Sequence, residues 1–139
     1  MTVNPYFKNC FVCSDQNQIG LHLKNTYVDG KSHMELDVNE NLSGISGLMH
    51  GGFTCMLLDE VMYYAIEALC VSTLTLNMQV DFISPAILGH HLVAEAWITN
   101  RDGRKIYAAS KITDGDKIVA SAEGFYITVD MDVFLKNIE

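Results

Sequence analysis

Apolar and polar residues alternate along the first part of this chain and then give way to one long, nearly unbroken apolar segment. Leu21, Leu23, Asn25 and Tyr27 interleave with His22, Lys24 and Thr26; Asp29-Gly30 follows, and Met34, Leu36 and Val38 return opposite His33, Glu35 and Asp37. A period of two on both sides of Asp-Gly predicts a half-buried hairpin, with its first strand over residues 19 to 28 and a two-residue turn. Residues 39 to 49 read as a loop. It holds glycines but no Gly-Lys-Ser/Thr ending, so it is not a nucleotide-phosphate loop. Residues 51 to 69 predict one helix that is apolar or aromatic apart from Asp59, Glu60 and Glu67, the pattern of a helix buried on more than one side. Strands follow near 71 to 83, 90 to 100, 104 to 113 and 117 to 129, with Asp102-Gly103 and Asp114-Gly115 marking hairpin turns. The tail from Asp130 reads as a short helix or a frayed end. The predicted architecture is α+β: an antiparallel sheet of about six strands around one long central helix, in the order β-β-α-β-β-β-β.

Composition narrows the function. The 139 residues predict a single domain over 1–139, with 49% hydrophobic and 19% charged residues. No run of about 18 apolar residues exists, and the opening residues include Asn4, Pro5 and Lys8 where a signal peptide needs an apolar stretch. The expectation is a cytoplasmic protein without a membrane partner. A net charge of −8 argues against nucleic acid, whose binding draws on Lys and Arg, and against an acidic carrier protein. Cys10 and Cys13 form a Cys-x-x-Cys pair, yet no second pair or histidine couple stands at zinc-site spacing. They read as a reduced structural pair, with metal binding the less favoured alternative, and no metal is among the expected site components.

The candidate chemistry sits where the loop enters the helix. His50-Gly51-Gly52 precedes it without a Ser, Thr, Asp or Asn cap, so its first N–H groups are expected to be unpaired, a ready anion site. At 100° per residue Glu60 and Glu67 fall within about 20° of each other, while Asp59 lies about 100° away. The shared face of the two glutamates is expected to be wet, since like charges at that spacing are tolerable only in water. Asp59 instead has Cys55, Met62, Tyr63 and Ile66 as neighbours, where an unpaired carboxylate costs several kcal/mol. Gly51 and Asp59 are eight residues apart, about 12 Å along the axis at 1.5 Å per residue. One carbonyl group cannot touch both. If both act on it they come from two chains, so a homodimer or dimer of dimers is expected.

His50-Gly51-Gly52 with Asp59 nine residues after the histidine resembles the hotdog-fold acyl-CoA thioesterases, in particular the phenylacetate-pathway type. The resemblance runs on through Thr75 to Pro85 and the late strands, and includes the opening Cys10-Phe11-Val12-Cys13 with Asn17 to Leu21. It implies hydrolysis of an acyl-CoA without a cofactor. Gly51 is the candidate oxyanion donor, with a tight turn as the competing role for Gly51-Gly52. Asp59 is general base or nucleophile, or else a carboxylate paired with a Lys, Arg or Tyr. His50 positions the carbonyl or holds the loop, and the resemblance implies that Thr75 holds the attacking water. Gly52, Asn77 and the cationic cluster Arg101, Arg104 and Lys105 are candidate substrate-binding residues, the cluster for the phosphates of coenzyme A. Relatives usually carry Gln or Asn where this chain has Ser43 and Gly44, with Asn41 nearby. Two other functions compete: an acyl-CoA-binding module without turnover, and a hotdog dehydratase, which wants a His-Phe-Pro-Gly type loop.

Overall fold

The structure, a computed structural model, describes residues 5–138. Strands β1 (Thr26–Val28), β2 (Lys31–Asp37), β3 (Thr73–Phe82), β4 (His91–Asp102), β5 (Lys105–Asp114) and β6 (Lys117–Thr128) form one antiparallel sheet, ordered β1-β2-β4-β5-β6-β3. Helix α1 (Gly51–Glu67) lies between β2 and β3 in sequence and packs mainly on β4 and β5. Six antiparallel strands around one long helix are the layout that the residue pattern predicts, and the hotdog fold that the resemblance implies. The tail is helix α2 (Met131–Asn137), started by Asp130, whose carboxylate accepts from Val133 N–H.

Burial explains the arrangement. Leu57, Leu58, Val61, Met62 and Ile66 of α1 are sealed against Met34 and Leu36 of β2, Leu92, Ala94 and Ala96 of β4, and Ile106, Ala108 and Ile112 of β5. The small alanines leave room for the helix to lie close to the strands. Period-two alternation thus reads correctly in β2, where Met34, Leu36 and then Val38 are all buried.

Three local features depart from that reading. The first strand is only three residues long, because Leu21 and Leu23 N–H groups bond to the carbonyls of Phe11 and Val12 rather than to β2. His22, at φ 54°, also breaks the extended run. At the first hairpin Asp29 and Gly30 occupy the turn with φ 52° and 76°, the type I′ pattern. The later turns fall one residue beyond the Asp-Gly pairs, with Gly103-Arg104 and Gly115-Asp116 between Asp102↔Lys105 and Asp114↔Lys117. The third departure is a β-bulge in β3 at Leu76, between Thr75↔Tyr126 and Asn77↔Phe125.

Truncating the sealed helix face tests this packing. Leu58, 0% exposed, is expected to cost about 2–5 kcal/mol on change to alanine. Ile45→Ala, at a residue 79% exposed, is expected to stay within about 0.5 kcal/mol. Denaturant midpoints at one protein concentration read the difference; equal midpoints would mean the helix is not buried as described.

Candidate active site

The start of α1 is capped, contrary to the expectation from its sequence, because a histidine supplies the acceptor. His50 has non-helical dihedrals (φ −59°, ψ 134°), and its Nδ1 accepts from Gly52 N–H at 2.8 Å. Phe53 N–H reaches the His50 carbonyl at 3.0 Å. With Nδ1 accepting, Nε2 is the ring nitrogen that carries a proton. Gly51 N–H finds no acceptor among the described residues, so one orphan donor remains at the positive end of the helix dipole.

The glycines around the histidine have separate reasons. A Cβ on Gly52 would come 2.9 Å from His50 Nδ1, so this glycine makes the cap possible. A Cβ on Gly44 would come 2.9 Å from His50 Cα, so an amide side chain at this position would displace the histidine. Gly51 is different: a Cβ there would make only ordinary contact, 3.4 Å, with the Phe82 ring. Among the described residues nothing within van der Waals distance requires a glycine at 51. A cavity of about 280 Å³ opens beside it, lined by Leu48, Thr54, Phe82, Ser84 and Pro85 among others. A second cavity, about 380 Å³, lies by Phe53 and includes Phe11, Leu21 and Asn41 in its wall.

Two turns along, Asp59 is not the unpaired carboxylate its neighbours on the helix suggest. Its Oδ1 accepts from Thr75 Oγ1 at 3.0 Å and from Tyr126 OH at 2.8 Å, while Oδ2 accepts from no described residue. Tyr126 is wholly buried, and burial followed by the Asp59 charge raises its pKa, so the phenol stays a donor. Thr75 reaches Asp59 because of the bulge. Simple alternation sets Thr75 on one face with Asn77, Gln79 and Asp81; the extra residue at Leu76 breaks that run, so Thr73 and Thr75 turn toward the helix, as do Met78 and Val80 beyond it. Tyr126 escaped the sequence reading. The available signal was a phenol on the core face of a strand, which needs a buried acceptor.

Glu60 also departs from expectation. It does not share a wet face with Glu67 but turns toward the opening segment, where Cys10 Sγ donates to Glu60 Oε1 at 3.4 Å. Burial, then the neighbouring Cys10, pushes the Glu60 carboxyl up to about 8. Between the cysteines, their mutual hydrogen bond lowers the Cys10 thiol and raises that of Cys13.

The remaining candidates are spread out. Asn77 is exposed and its side chain makes no hydrogen bond to a described residue. Arg101, Arg104 and Lys105 sit at the β4–β5 hairpin, where Arg104 donates to the Thr128 carbonyl at 2.9 Å and Lys105 lies 4.6 Å over the Phe125 ring. Register pairs Lys105 with Ile127 and Thr73 with Thr128, so the cluster lies at the sheet end nearer Tyr126 and Thr75. Gly51 lies at the other end, by Phe82. A single chain therefore separates Gly51 from both Asp59 and the cationic hairpin.

Comparison with known proteins agrees with this fold. Acyl-coenzyme A thioesterase THEM4 of Xenopus laevis is 27% identical over 82 residues, covering 59% of this chain and 37% of that protein. This chain thus spans little more than a third of that relative. Among solved structures, thioesterase superfamily protein RHA08564 superposes with a TM-score of 0.80 at 24% identity, over 86% of this chain and 63% of that one. A variant of the phenylacetic acid degradation protein PaaI from Thermus thermophilus gives 0.72 at 20% identity, over 89% and 99%. Likeness at these identities speaks for the fold. The sequence profile of the thioesterase superfamily matches residues 46–121, more than half of the chain and the whole stretch from the His50 loop through Asp59 and Thr75, and this protein belongs to that superfamily.

Proposed function

We propose that this protein hydrolyses an acyl-CoA thioester to the free acid and coenzyme A, without a cofactor, at sites shared between two antiparallel copies of α1. The observation that carries the reading is the division of labour along that helix. An unpaired N–H at Gly51 and a carboxylate anchored through one oxygen at Asp59 stand about 12 Å apart, too far for one carbonyl group. A second copy, running antiparallel, brings the partner helix's start beside Asp59. The outer edge of the sheet favours such a copy, since β3 is an edge strand carrying exposed Leu76 and Phe82, with exposed Ile83 just beyond it. A homodimer or a dimer of dimers satisfies this equally.

The chemistry follows from the groups. The thioester carbonyl accepts from Gly51 N–H, and an oxyanion-hole donor of that kind contributes roughly 3–4 kcal/mol as charge develops. His50 Nε2–H is a second donor near the same helix end. Thr75 and Tyr126 hold Asp59 by Oδ1, which turns Oδ2 toward the thioester. As general base, Asp59 takes a proton from water while the water oxygen bonds to the acyl carbon; the carbon–sulfur bond then breaks, and that proton passes to the CoA thiolate. As nucleophile, the carboxylate itself bonds to the acyl carbon as the carbon–sulfur bond breaks and CoA thiolate leaves; water then cleaves the anhydride, restoring the carboxylate and releasing the acid while its proton passes to the thiolate. Arg101, Arg104 and Lys105 supply charge for the CoA phosphates. The curated relative named as an acyl-coenzyme A thioesterase supports coenzyme A as the leaving group. A second reading, binding without turnover, is favoured by Gly44, whose closeness to His50 leaves no space for the amide that relatives carry.

Thiol release from a panel of acyl-CoAs separates the two readings: turnover supports hydrolysis, and tight binding with none supports a sensor. Asp59→Asn is expected to lower kcat at least about a hundredfold. Gly51→Pro replaces the N–H by a pyrrolidine ring that the first helical position tolerates, and is expected to cost at least about 10²–10³ in kcat. Co-expressing these two inactive chains tests the shared site. Half of randomly assorted dimers are mixed and each mixed dimer keeps one intact site, so about a quarter of wild-type activity is expected. If purified mixed dimers stay dead, the site belongs to one chain.

Replacing Arg101, Arg104 and Lys105 together by alanine is expected to raise KM for acyl-CoA several-fold with kcat little changed. An unchanged KM would move the phosphate site off this hairpin.

A further inference from the structure

The Cys-x-x-Cys segment takes no part in the thioester chemistry, yet the fold carries it onto α1 beside the residue next to Asp59. Cys10 N–H bonds to the Phe7 carbonyl and Ser14 N–H to that of Cys10, which closes the segment into consecutive turns. Val12 is 3% exposed in the core, and the bonds from Leu21 and Leu23 to Phe11 and Val12 fasten both sides of the turn. This places one donor atom from each of Cys10, Cys13 and Glu60 within 4.8 Å of the others. We propose that Cys10, Cys13 and Glu60 form a metal site, and that the ion is zinc.

Spacing is the first argument. Ligands at about 2.3 Å (sulfur) and 2.0–2.2 Å (oxygen) from a tetrahedral zinc ion lie roughly 3.5 Å apart for sulfur and oxygen and roughly 3.8 Å for two sulfurs. Cys10 Sγ and Glu60 Oε1 are 3.4 Å apart, and the whole set falls inside 4.8 Å. The donors therefore already stand close to where one ion would hold them.

Charge is the second. Two thiols and a carboxylate, all groups that become anionic, converge in a partly buried place, and no Lys, Arg or His pairs with Glu60 among the described residues. Burying a carboxylate without a cation is costly unless it is neutralised. A divalent ion supplies that charge, and on binding it displaces the thiol protons to solvent. The donor types choose the ion: thiolates disfavour magnesium and calcium, and two sulfurs with one carboxylate suit zinc. Three protein ligands leave the fourth tetrahedral position to water.

The site explains a feature that a reduced pair does not. Phe11, between the two cysteines, stacks on Phe53 of α1 at 6.3 Å and forms part of the wall of the larger cavity. An ion bridging Cys10 and Cys13 to Glu60 fixes that wall to the helix that carries Asp59.

The test uses the full chain, purified under reducing conditions without chelator, with its zinc content measured per chain. The same protein is then stripped and titrated with Co²⁺ alone, and the bound Co²⁺ displaced with Zn²⁺ alone. One zinc per chain as purified is expected, with a thiolate-to-cobalt charge-transfer band that saturates at one Co²⁺ and bleaches with Zn²⁺. Cys10→Ser and Cys13→Ser are each expected to weaken or abolish the band, and Glu60→Gln to keep it while weakening affinity at least about tenfold. Circular dichroism on each variant separates loss of metal from loss of fold. Protein with both thiols reduced and titratable that gives no charge-transfer band at saturating Co²⁺ would overturn the proposal, whatever the variants do. So would an unchanged band after both cysteines are replaced, which would assign the ion to Cys55 or Cys70. These readouts do not depend on thioester turnover, so failure here leaves the proposed hydrolysis standing, and the reverse also holds.

Discussion

Four hydroxyl groups on the sheet hold the central helix by its polar atoms, and the rest of the molecule is arranged around that attachment; Thr75 of β3 is one, donating to Asp59 at 3.0 Å. Tyr27 of β1 donates to the Tyr64 carbonyl at 2.9 Å, buried Ser32 of β2 donates to the Val61 carbonyl at 2.5 Å, and Tyr126 of β6 donates to Asp59. A helix buried along most of its length is held by dispersion and hydrophobic burial, which have little directional preference. Hydrogen bonds from fixed strands add the direction: they set the rotation and height of α1 against the sheet, and so where Gly51, Asp59 and Glu60 point.

Asp59 and Glu60 show what that rotation decides. They are chemically alike and adjacent, yet one faces β3 and β6 while the other faces the opening turn. Asp59 receives two hydroxyl donors, so its orientation is defined. Glu60 receives a thiol and is raised toward neutrality by burial. Two carboxylates with different neighbours on one helix turn let one element face the β3–β6 edge of the sheet on one side and the N-terminal segment on the other.

The same economy governs the helix start. His50 gives up Nδ1 to the cap, which satisfies Gly52 and orients the ring, and the cap stops short of Gly51. A Ser or Asp cap would also accept from the first turn, but without a ring to be oriented. Gly44 and Gly52 make space for the ring, so the loop that looks merely flexible in sequence is shaped by one side chain.

Periodicity and turn chemistry were enough to read the fold from sequence: alternation in β2, the Asp29-Gly30 turn, one helix apolar nearly all round, and four long strands in succession. The free N–H at Gly51 was legible too, because it follows from position at a helix start, whereas Asp59, expected to be unpaired among apolar neighbours, instead accepts from Thr75 and Tyr126. What only the tertiary structure decided are relations between elements. A single inserted residue at Leu76 reverses the strand face and turns Thr75 inward, which no alternation rule signals since a bulge is a property of the pair. The short first strand has the same cause, a competing partner at Phe11 and Val12. Tyr126 meets Asp59 across 67 positions and Cys10 meets Glu60 across 50. Sequence supplies the donors and acceptors that must be satisfied; which of them meet is set by the register of the sheet and the rotation of the helix upon it.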